Sequence, residues 1–267
     1  MLKQIFYAAA LGVACFAAPV VQAGSTAAAN AILPKAQVAQ FSDRVQKILA
    51  SKGANVAIVS RMGRDPATMP DGITYTHVAF WVYSNITLAD GSTGTGYRVY
   101  NLYQDSKNKS RSALIQDSPA DFFAGAQRLD AGVIIPDKRL QKKLLAVIAS
   151  PTYKALHNKR YSVLSNPNSN QFQNCTEHLM DVMMASLYDT RDKSQIKANM
   201  AAHFVPSVIK VSAEKRAWAP VLSQALTTRD HGEEIRTATF GSIVAFTKRH
   251  KLAAKVIRIT PSKVARF

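Results

Sequence analysis

The sequence predicts an α+β fold, an antiparallel sheet with helices packed on it. Three observations carry that prediction. Short runs rich in β-branched and aromatic residues recur in the first half, glycine and aspartate cluster where two of them would join as a hairpin, and stretches of helical period are grouped around them. Residues 35–51 place Val38, Phe41, Val45, Ile48 and Leu49 on one helical stripe, and Gly53 is set to end it. Residues 55–61, Asn-Val-Ala-Ile-Val-Ser-Arg, read as a buried strand, and the turn residues Gly63, Asp65-Pro66 and Pro70-Asp71-Gly72 follow. Residues 74–83 form the strongest strand signal. Asp90-Gly91, Gly94 and Gly96 then lead into a second strand at 97–103.

Helices are expected at 119–126 and 137–150, the second with Leu140, Leu144, Leu145 and Ile148 inward and basic side chains outward. Residues 161–164 suggest a short strand, and 165–174 are polar and turn-forming. A helix at 175–188 carries Leu179, Val182, Met183 and Leu187. Beyond it, 235–240 reads as a strand, Ser242 as the cap of a helix through Arg249, and 255–260 as a last strand.

Residues 1–23 read as a secretory signal. Lys3 supplies the positive start, 5–18 the apolar stretch, and Val21-Gln22-Ala23 small residues for cleavage. That stretch is shorter than the ~20 residues of a spanning helix, and no later segment is long and apolar enough. The expectation is a bacterial periplasmic or secreted protein whose mature part, 24–267, is one domain with its core at about 50–250.

Charge bears on partners. The chain holds 34 Lys and Arg against 17 Asp and Glu, a formal +17, and loss of Lys3 with the leader leaves +16. The basic residues are scattered (Arg61, Arg64, Lys107, Lys109, Arg111, Lys142 among them) and are not laid out as one recognition helix, so nucleic acid is not the expected partner. An anionic envelope component, peptidoglycan or lipid, fits better. Nothing in the sequence indicates an oligomeric state.

Two cysteines are present, and Cys15 falls within the leader. Cys175 is therefore an odd thiol in a compartment that pairs thiols, placed where an irregular loop turns into a helix. A thiol reacts as thiolate, and a helix N-terminus or a neighbouring imidazole favours that form. Among the six histidines His77 is the best placed, inside an apolar strand that would hold it rigidly. His178 sits one helical turn beyond the thiol, His231 follows Asp230 in a turn-like stretch, and His157, His203 and His250 look like surface positions. The partner strand offers Asn101, with Gln104 as the fallback, to orient the ring of His77. A buried core histidine and an inert, buried thiol are the plain alternatives.

The order of these residues resembles the circularly permuted papain-like proteins, relatives of the NlpC-type hydrolases and the lecithin:retinol acyltransferase-like enzymes. The stretches that carry the resemblance are Tyr75-Thr76-His77, Arg98-Val99-Tyr100-Asn101-Leu102, Tyr161-Ser162, Gln173-Asn174-Cys175 and Asp230-His231, and they are also similar to a family of uncharacterised exported bacterial proteins. The resemblance implies a permuted papain-like core, with Cys175 as nucleophile, His77 as base and Asn101 as orienting residue. Asn174, Gln173, Tyr161, Asp230, His231 and Gln104 would support them. Many permuted relatives carry histidine or an acid at the third position, where this chain has Asn101.

The reading that follows is an exported thiol hydrolase or acyltransferase acting on an amide, peptide or ester bond in the envelope. The alternative is a non-catalytic periplasmic binding or accessory protein of the same fold. Gly-rich phosphate loops, a dinucleotide fingerprint and a Cys-x-x-Cys pair are all lacking, and no histidine pair has ligand spacing, so neither cofactor nor metal is expected.

Overall fold

The computed structural model describes residues 31–87 and 90–267, so the leader read at 1–23 lies outside the described residues. Helix α1 (Lys35–Ser51) buries Val38, Phe41, Val45 and Leu49 and gives way to Gly53 at φ 60°, a left-handed conformation that side chains with a Cβ rarely adopt. Four strands then follow one another, β1 (Val56–Arg61), β2 (His77–Thr87), β3 (Thr93–Gln104) and β4 (Ser112–Asp117). After a short helix α2 (Pro119–Ala124), β5 (Ala131–Pro136) returns to the free side of β1, and helices α3 (Lys138–Ile148) and α4 (Pro151–Ala155) follow.

The second half is mostly helical. Helices α5 (Cys175–Tyr188) and α6 (Lys193–His203) precede β6 (Ser207–Ile209), α7 (Ala213–Leu222) and β7 (Ile235–Thr237). Helix α8 (Phe240–Arg249), β8 (Ala253–Ile259) and β9 (Val264–Arg266) close the chain. Among the described residues the main sheet has the order β4-β3-β2-β1-β5-β8-β9 with antiparallel neighbours throughout, and β6 pairs with β7 apart from it. No described helix is long and apolar enough to cross a membrane.

Successive side chains of a strand point to opposite faces, so each strand of this sheet serves two cores. Val56, Ile58, Val78, Phe80, Leu102 and Ile134 meet α3, α5 and α8 on one face. Ala57, Val59, Ala79, Trp81, Val99 and Val133 meet α1 and α2 on the other. With both faces covered, β1 and β5 are buried along their whole length. Residues 56–59 of β1 and 133–136 of β5 accordingly read as apolar runs without alternation.

The structure corrects several sequence expectations. The run 131–136, for which no element is expected, is a central strand that ends at Pro136, with a register shift between Ile135 and Pro136. Residues 112–117 form the edge strand β4, half-exposed and polar enough to escape an apolar pattern. Tyr161 makes only an isolated bridge to Gln173, so 161–164 is not a strand. Strand β7 stops at Thr237, and Thr239 caps α8. Ser242 is the reciprocal partner in that capping box, its hydroxyl accepting from the Thr239 N–H at 2.9 Å. The helix expected at 137–150 ends at Ile148, and Ser150 caps a separate α4.

Candidate functional site

The polar residues singled out by sequence lie on the two faces of the sheet, and they are best taken one face at a time. His77 opens β2 opposite Arg61, the last residue of β1. Both side chains share the α1/α2 face with Ala79 and Trp81, as do Asn101 and Tyr103 of β3. The imidazole is 1% exposed, stacked on Tyr103 with ring centroids 4.8 Å apart and tilted against Phe122 of α2 at 5.4 Å.

Hydrogen bonds fix its state. Asn101 Nδ2 donates to Asp117 Oδ2 at 3.0 Å, so its Oδ1 faces the ring, and His77 Nε2 donates to that oxygen at 2.9 Å. Nδ1 is then the lone-pair nitrogen, and it is buried without a hydrogen-bond partner. Burial holds the imidazole well below the ordinary histidine range, and the charge of Arg61 pushes it further down against the Asn101 bond. The ring is neutral. Arg61 is itself buried, its Cζ 5.4 Å from the centre of Phe122 and its guanidinium close against Gly125. A Cβ at Gly125 would meet Arg61 Nη1 at 2.3 Å, which explains a glycine there.

Cys175 belongs to the other face. Helix α5 begins at this residue because Asn174 caps it, Oδ1 accepting from the Glu177 N–H at 2.9 Å while Nδ2 donates to Val163 O at 2.9 Å. The thiol is 6% exposed and forms part of the wall of a cleft of about 600 Å³. Apolar groups dominate that cleft, among them Met69, Ile73, Tyr161, Val163, Leu226 and Trp218. Its polar walls include Arg64, Thr76, Glu214 and Thr239. Burial disfavours the charge of both Arg61 and Arg64, and Cys175 favours it in both, so the thiol stands within electrostatic range of two guanidiniums. Arg64 Nη2 is shielded from water and has no hydrogen-bond partner. A buried cationic donor left open on a cleft wall is suited to an anion or a developing oxyanion.

The structure therefore brings His77 and Asn101 together and does not pair them with the thiol. No hydrogen bond carries the expected facing of Cys175 and His77: the imidazole turns to the α1/α2 face, its Nδ1 has no hydrogen-bond partner, and neither His77 nor Asn101 lines the cleft. His178 is no substitute, since its ring packs on Tyr153 of α4 with centroids 4.9 Å apart, and burial pushes it down to about 3.

The supporting residues divide as well. Tyr161 and Asn174 line the cleft. Gln173 is a buried clamp, Nε2 donating to Leu156 O at 3.1 Å and to Asp181 Oδ2 at 2.7 Å. Gln104 holds the β3–β4 loop through Lys109 O at 2.7 Å. Asp230 and His231 tie two loops behind the cleft. Asp230 Oδ2 accepts from the Asn166 N–H at 2.7 Å, His231 Nε2 donates to Leu164 O at 2.6 Å, and His231 Nδ1 accepts from the Arg236 N–H at 3.2 Å. His157, expected at the surface, is half-buried against Ser112 Oγ at 2.9 Å, while His203 and His250 are exposed.

Sequence reasoning missed Arg61, Arg64, Tyr103 and Asp117. The available signal was the run Ser60-Arg61-Met62-Gly63-Arg64, one arginine ending a largely apolar strand and a second just beyond it. Below the thiol, α5 hides a further charged group. Lys197 of α6 donates to Glu177 Oε1 at 2.7 Å and Asp181 Oδ1 at 2.8 Å, all three buried, and burial raises both carboxyls above their usual range despite that ammonium.

Fold and site together define an α+β protein with a seven-stranded antiparallel sheet and a thiol on the wall of an apolar cleft. Residues 48–247 match the family described as an uncharacterized protein conserved in bacteria (DUF2145), and the chain belongs to that family. Neither the curated proteins nor the solved structures yield a match.

Proposed function

We propose that the protein is an exported acyl hydrolase or acyltransferase whose nucleophile is Cys175 and whose substrate is an ester or thioester with an apolar acyl chain. The observation that carries this reading is a thiol at a helix start sharing one cleft wall with the open donor of Arg64. The first-turn N–H groups of α5 and the nearby guanidinium charge favour thiolate. The thiolate adds to the carbonyl carbon, and the resulting oxyanion is met by Arg64 and the helix start. Its collapse expels an alkoxide or thiolate, which takes a proton from solvent. Water or an acceptor hydroxyl then cleaves the Cys175 thioester and restores the thiolate.

The absence of an imidazole from the cleft wall bears on the bond. Amine leaving groups need a proton delivered as they depart, whereas thiolates and activated alkoxides do not. That favours esters and thioesters over the amides of peptidoglycan stem peptides, and the apolar lining agrees. Kinship with the permuted papain-like proteins rests on chain order, His77 and Asn101 before a helix opened by Cys175. Its departure is the face on which His77 lies.

The apolar cleft also supports a second reading, a carrier of an apolar ligand with an idle thiol. Intact-mass measurement after exposure to p-nitrophenyl esters of rising chain length separates the two. An acyl adduct on Cys175, absent in Cys175→Ala and forming faster with longer chains, is the expected result. A folded protein that gains no mass at Cys175 would sink the enzyme.

A further inference from the structure

A second concavity of about 320 Å³ lies beside the cleft, lined by Ser110, Arg160, Phe172, Gln224, Thr227 and Arg229. None of these is acidic. Chain pairing builds the surface around it. Ser112 N donates to Lys159 O at 3.0 Å, Tyr161 N donates to Ser110 O at 2.8 Å, and Arg111 and Arg160 face each other across a bridge. The segment 159–161 is thereby laid along 110–112, which sets Arg111 beside Arg160, and Arg229 comes from the loop before β7.

Such crowding of like charge is costly unless something anionic offsets it. No ion pair among the described residues engages Arg111, Arg160 or Arg229. Two further details mark the pocket as more than a basic surface. The guanidinium of Arg160 lies over the Phe172 ring, Cζ 4.9 Å from its centre, which holds the planar fork in one orientation. Thr227 is 8% exposed, and its hydroxyl oxygen has no hydrogen-bond partner.

We propose that this pocket binds a phosphate group. Two guanidiniums, a threonine hydroxyl and the Gln224 amide supply more donors than the two oxygens of a carboxylate can use, and a tetrahedral oxyanion can engage them from several sides. The phosphate belongs either to a small soluble ester or to a lipid headgroup. Arg160 precedes Tyr161, and Thr227 follows Leu226, and both Tyr161 and Leu226 line the thiol cleft. A phosphate here therefore sits one residue from the cleft wall, and the site stands whether or not Cys175 is a nucleophile.

The test uses the full chain at fixed ionic strength. Calorimetry with inorganic phosphate reads the soluble form, and co-sedimentation with phosphatidylcholine vesicles, with and without phosphatidylglycerol, reads the headgroup. Arg160→Gln and Arg229→Gln are each compared with Lys142→Gln, which removes the same charge from the exposed side of α3. The expected result is binding of at least one probe that weakens about tenfold in each arginine variant, as loss of a charge-assisted contact does, and stays within about twofold of wild type in the lysine variant. Phosphate binding assigns a soluble ester, and vesicle binding alone assigns a headgroup. Binding of neither probe, or equal weakening in all three variants, would overturn the proposal.

Discussion

The two faces of the sheet hold different kinds of polar chemistry. On the α1/α2 face, Arg61, His77, Tyr103, Asn101 and Asp117 form a closed cluster in which the histidine is neutral, stacked and hydrogen-bonded through one nitrogen. On the α5 face, Cys175 and Arg64 stand on the wall of an open cleft. A His–Asn pair in the right order along the chain is thus compatible with a support role, because strand alternation decides which core a side chain joins. Access to a cavity separates the two faces better than residue type does.

The sharpest break in that comparison is expected at the nucleophile. Cys175→Ala should abolish ester acylation, whereas His77→Gln should keep the rate within about threefold and instead lower stability by about 1–3 kcal/mol, the cost of disturbing a buried hydrogen-bonded group. Steady-state rates and denaturant melts on the same preparations check both halves. Equal loss of rate in the two variants would contradict the separation.

Next in size is the charge cluster beneath α5. Lys197→Met leaves Glu177 and Asp181 buried without their cation and should cost about 3–5 kcal/mol in urea unfolding. On the opposite face Gly125→Ala should cost less, about 1–3 kcal/mol, because its Cβ forces Arg61 from its seat. A smaller loss for Lys197→Met than for Gly125→Ala would reverse the order the structure assigns.

Acid provides a finer probe. Burial pushes His178 down to about 3 and His157 to about 4. Their unfolded values lie near ~6.5, so their contribution to stability is present above that pH and is lost as pH falls toward the folded values. Glu177, raised by burial, works in the opposite direction, so the measurement is the difference between two slopes. Between pH 6.5 and 4.5 wild type should lose about 1.4 kcal/mol per pH unit more than His178→Asn. Parallel slopes would mean that the ring is not held neutral.

The smallest effect is spectroscopic. Trp218 is 59% exposed at the cleft, while Trp81 is fully buried on the other face. An apolar ester should shift the emission of Trp218 to the blue, and Trp218→Phe should remove that shift. A shift that persists in the variant would place the ligand elsewhere.

Much of the fold was legible in the sequence. Apolar stripes and capping residues marked α1 and α5, and the strand-turn-strand pattern marked β2 and β3, because each signal is local. Strand β5 was not legible, since a short buried run reads alike as strand or helix and its partners β1 and β8 are distant in the chain. At the site, the local facts emerged, a thiol at a helix start and the Asn101 partner of His77. The face assignment did not. It depends on the phase of β2 relative to a helix formed much later in the sequence, and the sequence alone does not carry that phase. Arg64 was passed over as one more basic residue, for its meaning lies in burial beside a cavity.

The most direct test of the account is the rate at which iodoacetamide alkylates Cys175 at pH 7 in the folded wild-type protein, in Arg64→Gln and in His77→Gln. The expected result is a thiol that reacts without unfolding, a rate about tenfold lower in Arg64→Gln as the thiolate loses a neighbouring cation, and a rate within about twofold of wild type in His77→Gln. A thiol that reacts only when the protein is unfolded, or one slowed by His77→Gln as much as by Arg64→Gln, would contradict it.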